Sequence, residues 1–203
     1  MLRRARIHPI RVLAALLTYK AGESRGGVTW KPVTTLIDAL DAAFYRAFGN
    51  VTPSGKRLML ALDVSSSMTS GDVAGVRGLT PRAAAAAMAL VTAAVEPNHF
   101  ITGFFTGEAS KKPYGGTHGS CGGRFQSDWK SGISPLTISP KQRLDDVIRA
   151  TNNLPFGGTD CALPMLYALG KQIPVDGFIV LTDSETWVGG IPPSQALQQY
   201  RAG

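Results

Sequence analysis

Three short apolar runs most constrain how this chain can fold: LMLAL at 58–62, FITGFF at 100–105 and FIVL at 178–181. None alternates with polar residues. Runs of this length without alternation fit strands covered on both faces, as in a parallel sheet. Parallel strands need long crossovers, and helical segments lie between these runs. Thr80-Pro81 supplies a cap and a first-turn proline for a helix over 81–95. Further helices are expected over 141–150, 162–169 and 192–201. Strand and helix alternate, so the class is α/β, an open three-layer sandwich. Residues 106–139 break the rhythm: seven glycines and two prolines mark a long surface excursion, with room for a short edge hairpin.

The first 49 residues have a different texture. Residues 10–20 are apolar all round and read as a buried helix. Residues 33–48 place Leu36, Leu40, Ala43, Phe44 and Ala47 at three- and four-residue spacings, an amphipathic helix. Two helices bury little surface alone, so this pair is expected to pack on the rest of the chain. Charge divides the sequence in the same place. Residues 1–57 hold ten Lys and Arg against three acids, and so carry the whole net charge of +7. Arg3, Arg4, Arg6 and Arg11 cluster most tightly. A solvated helical face explains such a cluster. Contact with phosphates, which clustered arginine favours without sequence choice, is the functional alternative. Tyr19, Trp30, Phe44 and Tyr45 could stack on bases, but their helical positions favour core packing.

Several classes are excluded early. A composition of 44% hydrophobic and 17% charged residues argues against disorder. No run reaches the length of a membrane-spanning helix. The basic, then apolar N-terminus imitates a secretory signal, but its apolar stretch is short and no small-residue cleavage site follows. Cys121 and Cys161, with His118 three residues before the first, fit neither a disulfide framework nor a zinc site. Two thiols without a framework point to a reducing, cytoplasmic setting.

The candidate chemistry lies at strand ends. The first strand runs into Asp63-Val64-Ser65-Ser66-Ser67, and the last into Thr182-Asp183. In open α/β sheets, ligands bind outside the carboxyl ends of the strands. If the two strands are neighbours, Asp63 and Asp183 meet at that edge, where paired carboxylates call for a cation or a proton. Ser65 and Ser67 alternate after Asp63, so one loop can aim three oxygens at one point. Thr159, in the Gly157-Gly158-Thr159-Asp160 loop, adds another hydroxyl. Carboxylates and hydroxyls form a hard-oxygen set suited to Mg²⁺ or Mn²⁺. A polar turn capping a helix explains the first triplet alone better than a metal does. For Asp160 and Glu185, capping or support of neighbouring ligands is the favoured role.

Asp63-x-Ser65-x-Ser67, Thr159 and Asp183, in this order and each at a strand end, resemble the metal-ion-dependent adhesion site of von Willebrand factor A domains. The resemblance implies a Rossmann-like doubly wound, mainly parallel sheet. It also implies a divalent ion at these five positions, with one coordination place open to a partner's carboxylate. RARIHPIRVLAALLTYKAG, LDAAFYRAFGNVTPSGKR, DVSSSM, GGTDCALPM and FIVLTDSETWVGGIPPSQALQQYR narrow it to the Ro 60-kDa ribonucleoprotein family. That family joins a helical-repeat ring, the TROVE module, to an A domain. The resemblance then makes residues 1–55 the last helices of the ring and residues 56–203 the A domain. It implies binding of small non-coding RNAs such as Y RNAs, a role in RNA quality control, and no catalysis. Most of a ring is absent and the A domain stops early, so a structurally incomplete auxiliary fragment or one piece of a split protein is the alternative. A metal-dependent hydrolase is the least favoured reading, for want of a base near the acids.

Overall fold

The computed structural model describes residues 6–105, 132–154, 157–183 and 189–203. The chain runs α1 (Pro9–Ala21), α2 (Thr34–Arg46) and a 3₁₀ turn (Ala47–Asn50), then β1 (Leu58–Asp63). Next come α3 (Pro81–Val95), β2 (His99–Phe104), β3 (Ile133–Pro135), α4 (Leu144–Asn152), α5 (Leu163–Gly170), β4 (Gly177–Leu181) and α6 (Pro193–Ala202). The three apolar runs are indeed the three parallel strands. Among the described residues the sheet order is β3-β2-β1-β4, with β1 parallel to both neighbours and β3 antiparallel to β2.

β1 and most of β2 are buried on both faces, as their uninterrupted apolar runs require, whereas β4, at the edge of the described sheet, is only half-buried along its length. Leu60, Leu62 and Ile101 point into a large cluster with α3 and α4 residues such as Leu90 and Val147. Ala61, Phe104 and Ile133 point the other way, where they meet Leu163 of α5. Beyond lies a smaller cluster of Ala162, Met165 and Ala196, which seats α6 on α5. Alanines dominate α3, and Ala86, Ala87 and Ala89 are fully buried. Side chains this small let the helix lie close to the strands. Thr80 caps it as its sequence position suggests, accepting a hydrogen bond from Ala83 N–H at 3.2 Å.

The N-terminal helices belong to the same core. Val12, Leu13 and Leu16 of α1, with Phe44, Ala47 and Phe48, join the cluster that contains Leu60 and Leu90. Phe44 is 1% exposed and makes edge-on contacts with Tyr45 and Phe48 at 4.9 and 5.1 Å. It is therefore a packing residue and no platform for bases. Tyr19 and Trp30 stack on each other, and Trp30 Nε1 donates to the Tyr19 carbonyl at 2.9 Å. Ion pairs reinforce the junction: Glu23 meets Arg77 at 2.6 Å and Asp41 meets Arg143 at 2.7 Å. Tyr45 Oη accepts from the Leu144 N–H at 3.0 Å.

Some expectations need adjustment. The stretch read as an excursion with room for a short edge hairpin over 106–139 contains β3, a three-residue edge strand antiparallel to β2. Residues 106–131, with His118 and Cys121, lie outside the described residues, as do Arg3, Arg4 and Glu185. The helix expected over 33–48 is α-helical only to Arg46 and then tightens into a 3₁₀ turn. In β2, a Cβ at position 103 would displace the Leu154 side chain and press on Val64. The missing side chain lets the segment after α4 close over the end of the sheet. At the opposite end, the backbone N–H and Nε of Arg57 donate to Asp176 Oδ2 at 2.8 and 3.1 Å, joining the entries of β1 and β4. These bonds hold the Asp176 carboxyl well below the usual carboxylate range.

Because Phe44 sits in the shared cluster, Phe44→Ala should destabilise the whole chain and not the helix pair alone. A loss of about 3–5 kcal/mol in one cooperative urea transition is expected. An early, separate transition would show that the helices pack only loosely on the sheet.

Candidate functional site

β1 ends on Asp63, which is 1% exposed, so its carboxylate must be satisfied from within. Three groups do this. Oδ1 accepts the Ser65 N–H at 2.8 Å, which bends the chain sharply off the strand. Oδ2 accepts two hydroxyls, Thr159 at 3.2 Å and Thr182 at 2.8 Å. The carboxylate thus gathers three segments: its own loop, the loop before α5, and the chain leaving β4. Ser65 and Ser67 lie in the first, their Oγ atoms 3.0 Å apart. Ser65 is buried, whereas Ser67 faces solvent. The loop is anchored beyond them by Met68, 1% exposed in the main core.

Asp183 follows Thr182 at the end of β4. Its Oδ1 is buried and has no hydrogen-bond partner among the described residues. A buried oxygen in that state is costly unless something else supplies a positive charge or a proton. Thr159 is 2% exposed, and the neighbouring Asp160 is 3% exposed. Asp160 Oδ1 accepts the Ala162 N–H at 3.0 Å, a bond within the turn that precedes α5 and not the helix cap expected for it, since α5 starts without a side-chain cap. Gly189, at φ +135°, lies directly against that carboxylate, where a Cβ would come within 3.0 Å of it. The return from β4 can therefore pass only as glycine.

So Asp63, Ser65, Ser67 and Thr159 are linked by hydrogen bonds at one end of the sheet, and Asp183 leaves the adjacent strand there. Among the described residues no three His, Cys, Asp or Glu side chains form a metal-holding group. An ion bound here would rest on two carboxylates and several hydroxyls. His8 and His99 are engaged elsewhere. His8 Nδ1 accepts the Ile10 N–H at the start of α1, and His99 lies at the entry of β2 against the Glu96 carbonyl. Since His99 pairs with Leu58 at the other end of β1, it is a full strand away from Asp63.

Two residues of this centre escape a reading of the sequence. Thr182 is one. The strand register pairs Leu62 with Leu181, which puts Thr182 level with Asp63. Only a committed strand pairing, not a motif, would have found it. The other is Arg82, the second residue of α3, which is 3% exposed. Its Nη2 donates to the carbonyls of Val64 and Ser65, both at 2.8 Å. Burial pulls its guanidinium below the ordinary value, and the Asp63 carboxylate pushes it back up.

A doubly wound α/β sheet, with Asp-x-Ser-x-Ser leaving one strand and a threonine loop and an aspartate beside it, defines a von Willebrand factor A-type domain. The family model described as the Ro60 vWA domain matches residues 57–115 and 123–203, and the chain belongs to that family. It is 44% identical over 200 residues to the RNA-binding protein RO60 of Deinococcus radiodurans, covering 98% of this chain and 33% of that protein. With the RNA-binding protein RO60 of Caenorhabditis elegans it shares 39% identity over 201 residues, covering 98% of this chain and 27% of that one. The crystal structure of the Deinococcus radiodurans RO (RSR) protein matches at a TM-score of 0.80 and 44% identity, over 99% of this chain and 36% of that chain. The chain thus spans a third or less of the length of these curated relatives.

Replacing Thr182 by Val keeps its shape and removes one donor to a buried carboxylate. A stability loss of about 1–3 kcal/mol is expected in chemical denaturation. A neutral result would mean that the Thr182 hydroxyl contributes nothing to satisfying Asp63.

Proposed function

We propose that this chain is the divalent-ion-binding interaction part of a Ro-type RNA-binding ribonucleoprotein. On this reading residues 1–55 belong to a helical RNA-binding module, and residues 56–203 form the A domain. Asp63, Ser65, Ser67, Thr159 and Asp183 are the residues that would hold Mg²⁺ or Mn²⁺. The observation that carries the ion is Asp183 Oδ1, a buried oxygen without a partner among the described residues, beside an all-oxygen donor set. When bound, the ion would supply an open coordination place that takes a carboxylate from a protein partner. The chain's own part is to orient Asp63, which the hydroxyls of Thr159 and Thr182 and the N–H of Ser65 do by donating to it. Small structured RNAs of the Y RNA kind, and a role in RNA quality control, are what membership of this family suggests.

Charge supports an RNA partner independently. The basic residues of the first segment that are described are Arg6, Arg11, Lys20, Arg25, Lys31, Arg46, Lys56 and Arg57, and all are exposed. Of these only Arg57 forms an ion pair among the described residues. Both curated relatives are named RNA-binding proteins, which favours recognition over catalysis. No helix among the described residues is long and apolar enough to cross a membrane.

Thermal melting with and without Mg²⁺ tests the ion. A ligand at about a hundred times its dissociation constant adds about 2.7 kcal/mol, so saturating Mg²⁺ should raise the melting temperature measurably. Asp63→Ala should abolish the rise, and no rise in the unaltered chain would remove the ion from this reading. The RNA partner is tested by retention of a single-stranded RNA at increasing salt. Neutralising Arg3, Arg4, Arg6 and Arg11 together should weaken binding and flatten its salt dependence. Unchanged retention would take the RNA contact away from this cluster.

A further inference from the structure

We infer that Arg82 is a positioning residue of the proposed ion site. It locks the Asp63–Ser67 loop in the conformation that presents its oxygens. This inference rests on the ion-binding reading above and gives a role to a side chain that lies outside the five-residue pattern.

An arginine this deeply buried is rare without fixed partners. Arg82 finds its partners on two sides. One nitrogen, Nη2, donates to the consecutive carbonyls of Val64 and Ser65, each at 2.8 Å. The other, Nη1, donates to Asn152 Oδ1 at 3.2 Å, in the last turn of α4. The first contact fixes two successive peptide planes, Val64–Ser65 and Ser65–Ser66. The second ties the loop to a helix that otherwise has no part in the site. The loop needs such a hold. Its Val64 N–H is spent on the Phe104 carbonyl and its Ser65 N–H on Asp63, and the buried carbonyls of the same two residues are satisfied by Arg82.

The direction of the side chain follows from local sequence. Thr80 caps α3 and Pro81 occupies its first turn, so Arg82 leaves the helix at the end nearest the loop. Only a planar, forked donor can serve two adjacent carbonyls and a third acceptor together. Lysine is a point charge on a flexible stem and lacks that geometry. The oxygens of Ser65 and Ser67 therefore owe their place to a side chain that need not touch an ion. Residues that orient metal ligands from behind commonly matter almost as much as the ligands, and their loss costs about 10–100-fold in affinity.

The test is calorimetric titration of the full chain with MgCl₂ alone, set beside chemical denaturation of each variant. Arg82→Met should raise the dissociation constant by about tenfold or more, with Arg82→Lys only partly restoring it. Asn152→Ala, which removes an exposed tether and nothing buried, should weaken binding by a smaller factor. Val91→Ala, in the core further along α3, serves as a control: it lowers stability but should leave the dissociation constant unchanged. Ion binding by folded Arg82→Met within about twofold of the unaltered chain overturns the inference. Equal weakening by Val91→Ala does so too, because the effect would then be one of general stability. Should Arg82→Met not fold, Asn152→Ala decides, and unchanged affinity there counts against the proposal. An unaltered chain that binds no Mg²⁺ overturns the ion reading itself, a result distinct from any difference among the variants.

Discussion

A carboxylate buried at the end of the central strand sets the terms for one whole end of this molecule. Asp63 cannot be hydrated, so the fold must bring polar groups to it. They arrive from three places far apart in sequence: Ser65 within its own loop, Thr159 before α5, and Thr182 after β4. Each contact constrains a connection as well as satisfying a charge. The loops at this edge are ordered around one oxygen pair, and Arg82 and Met68 hold the first of them from below. Gly189, at a positive φ, marks the place where the chain passes too close to the Asp160 carboxylate for a side chain.

The charge pattern gains meaning from the ion pairs. Two of the three acids in the first segment, Glu23 and Asp41, are paired with Arg77 and Arg143 of the second. These pairs are exposed and contribute little energy on their own. Their effect is on where each sign lies: Glu23 and Asp41 face the sheet domain, and the basic residues of the helix pair face solvent. A surface of this kind attracts polyanions over a distance set by ionic strength.

How much of this could be read from the sequence depends on how local the cause is. The parallel strands were legible because burial on both faces forbids alternation, and LMLAL obeys that rule within five residues. Asp63 was legible because it follows such a run directly. The start of α3 was legible from Thr80-Pro81, a signal contained in two residues. Thr182 was not, since its partner is fixed by the pairing of β1 with β4, which no local pattern encodes. Arg82 was hidden for a related reason: near a helix start, an arginine ordinarily points to water, and only the loop packed behind it shows otherwise. β3 is three residues long and owes its form to β2 beside it. The N-terminal helices were expected to need a partner surface, but the sequence could not say which.

That partner surface is the main core itself. Charge and composition draw a line near residue 57, whereas the packing of Leu13, Leu16, Phe44 and Phe48 against Leu60 and Leu90 ignores it. A cut made along the charge boundary would leave an oily scar on each half. The helix pair is therefore less an appendage than a keel: whatever grips its basic side also grips the sheet. A load placed on the helices is then borne by the close-packed side chains that they share with the sheet.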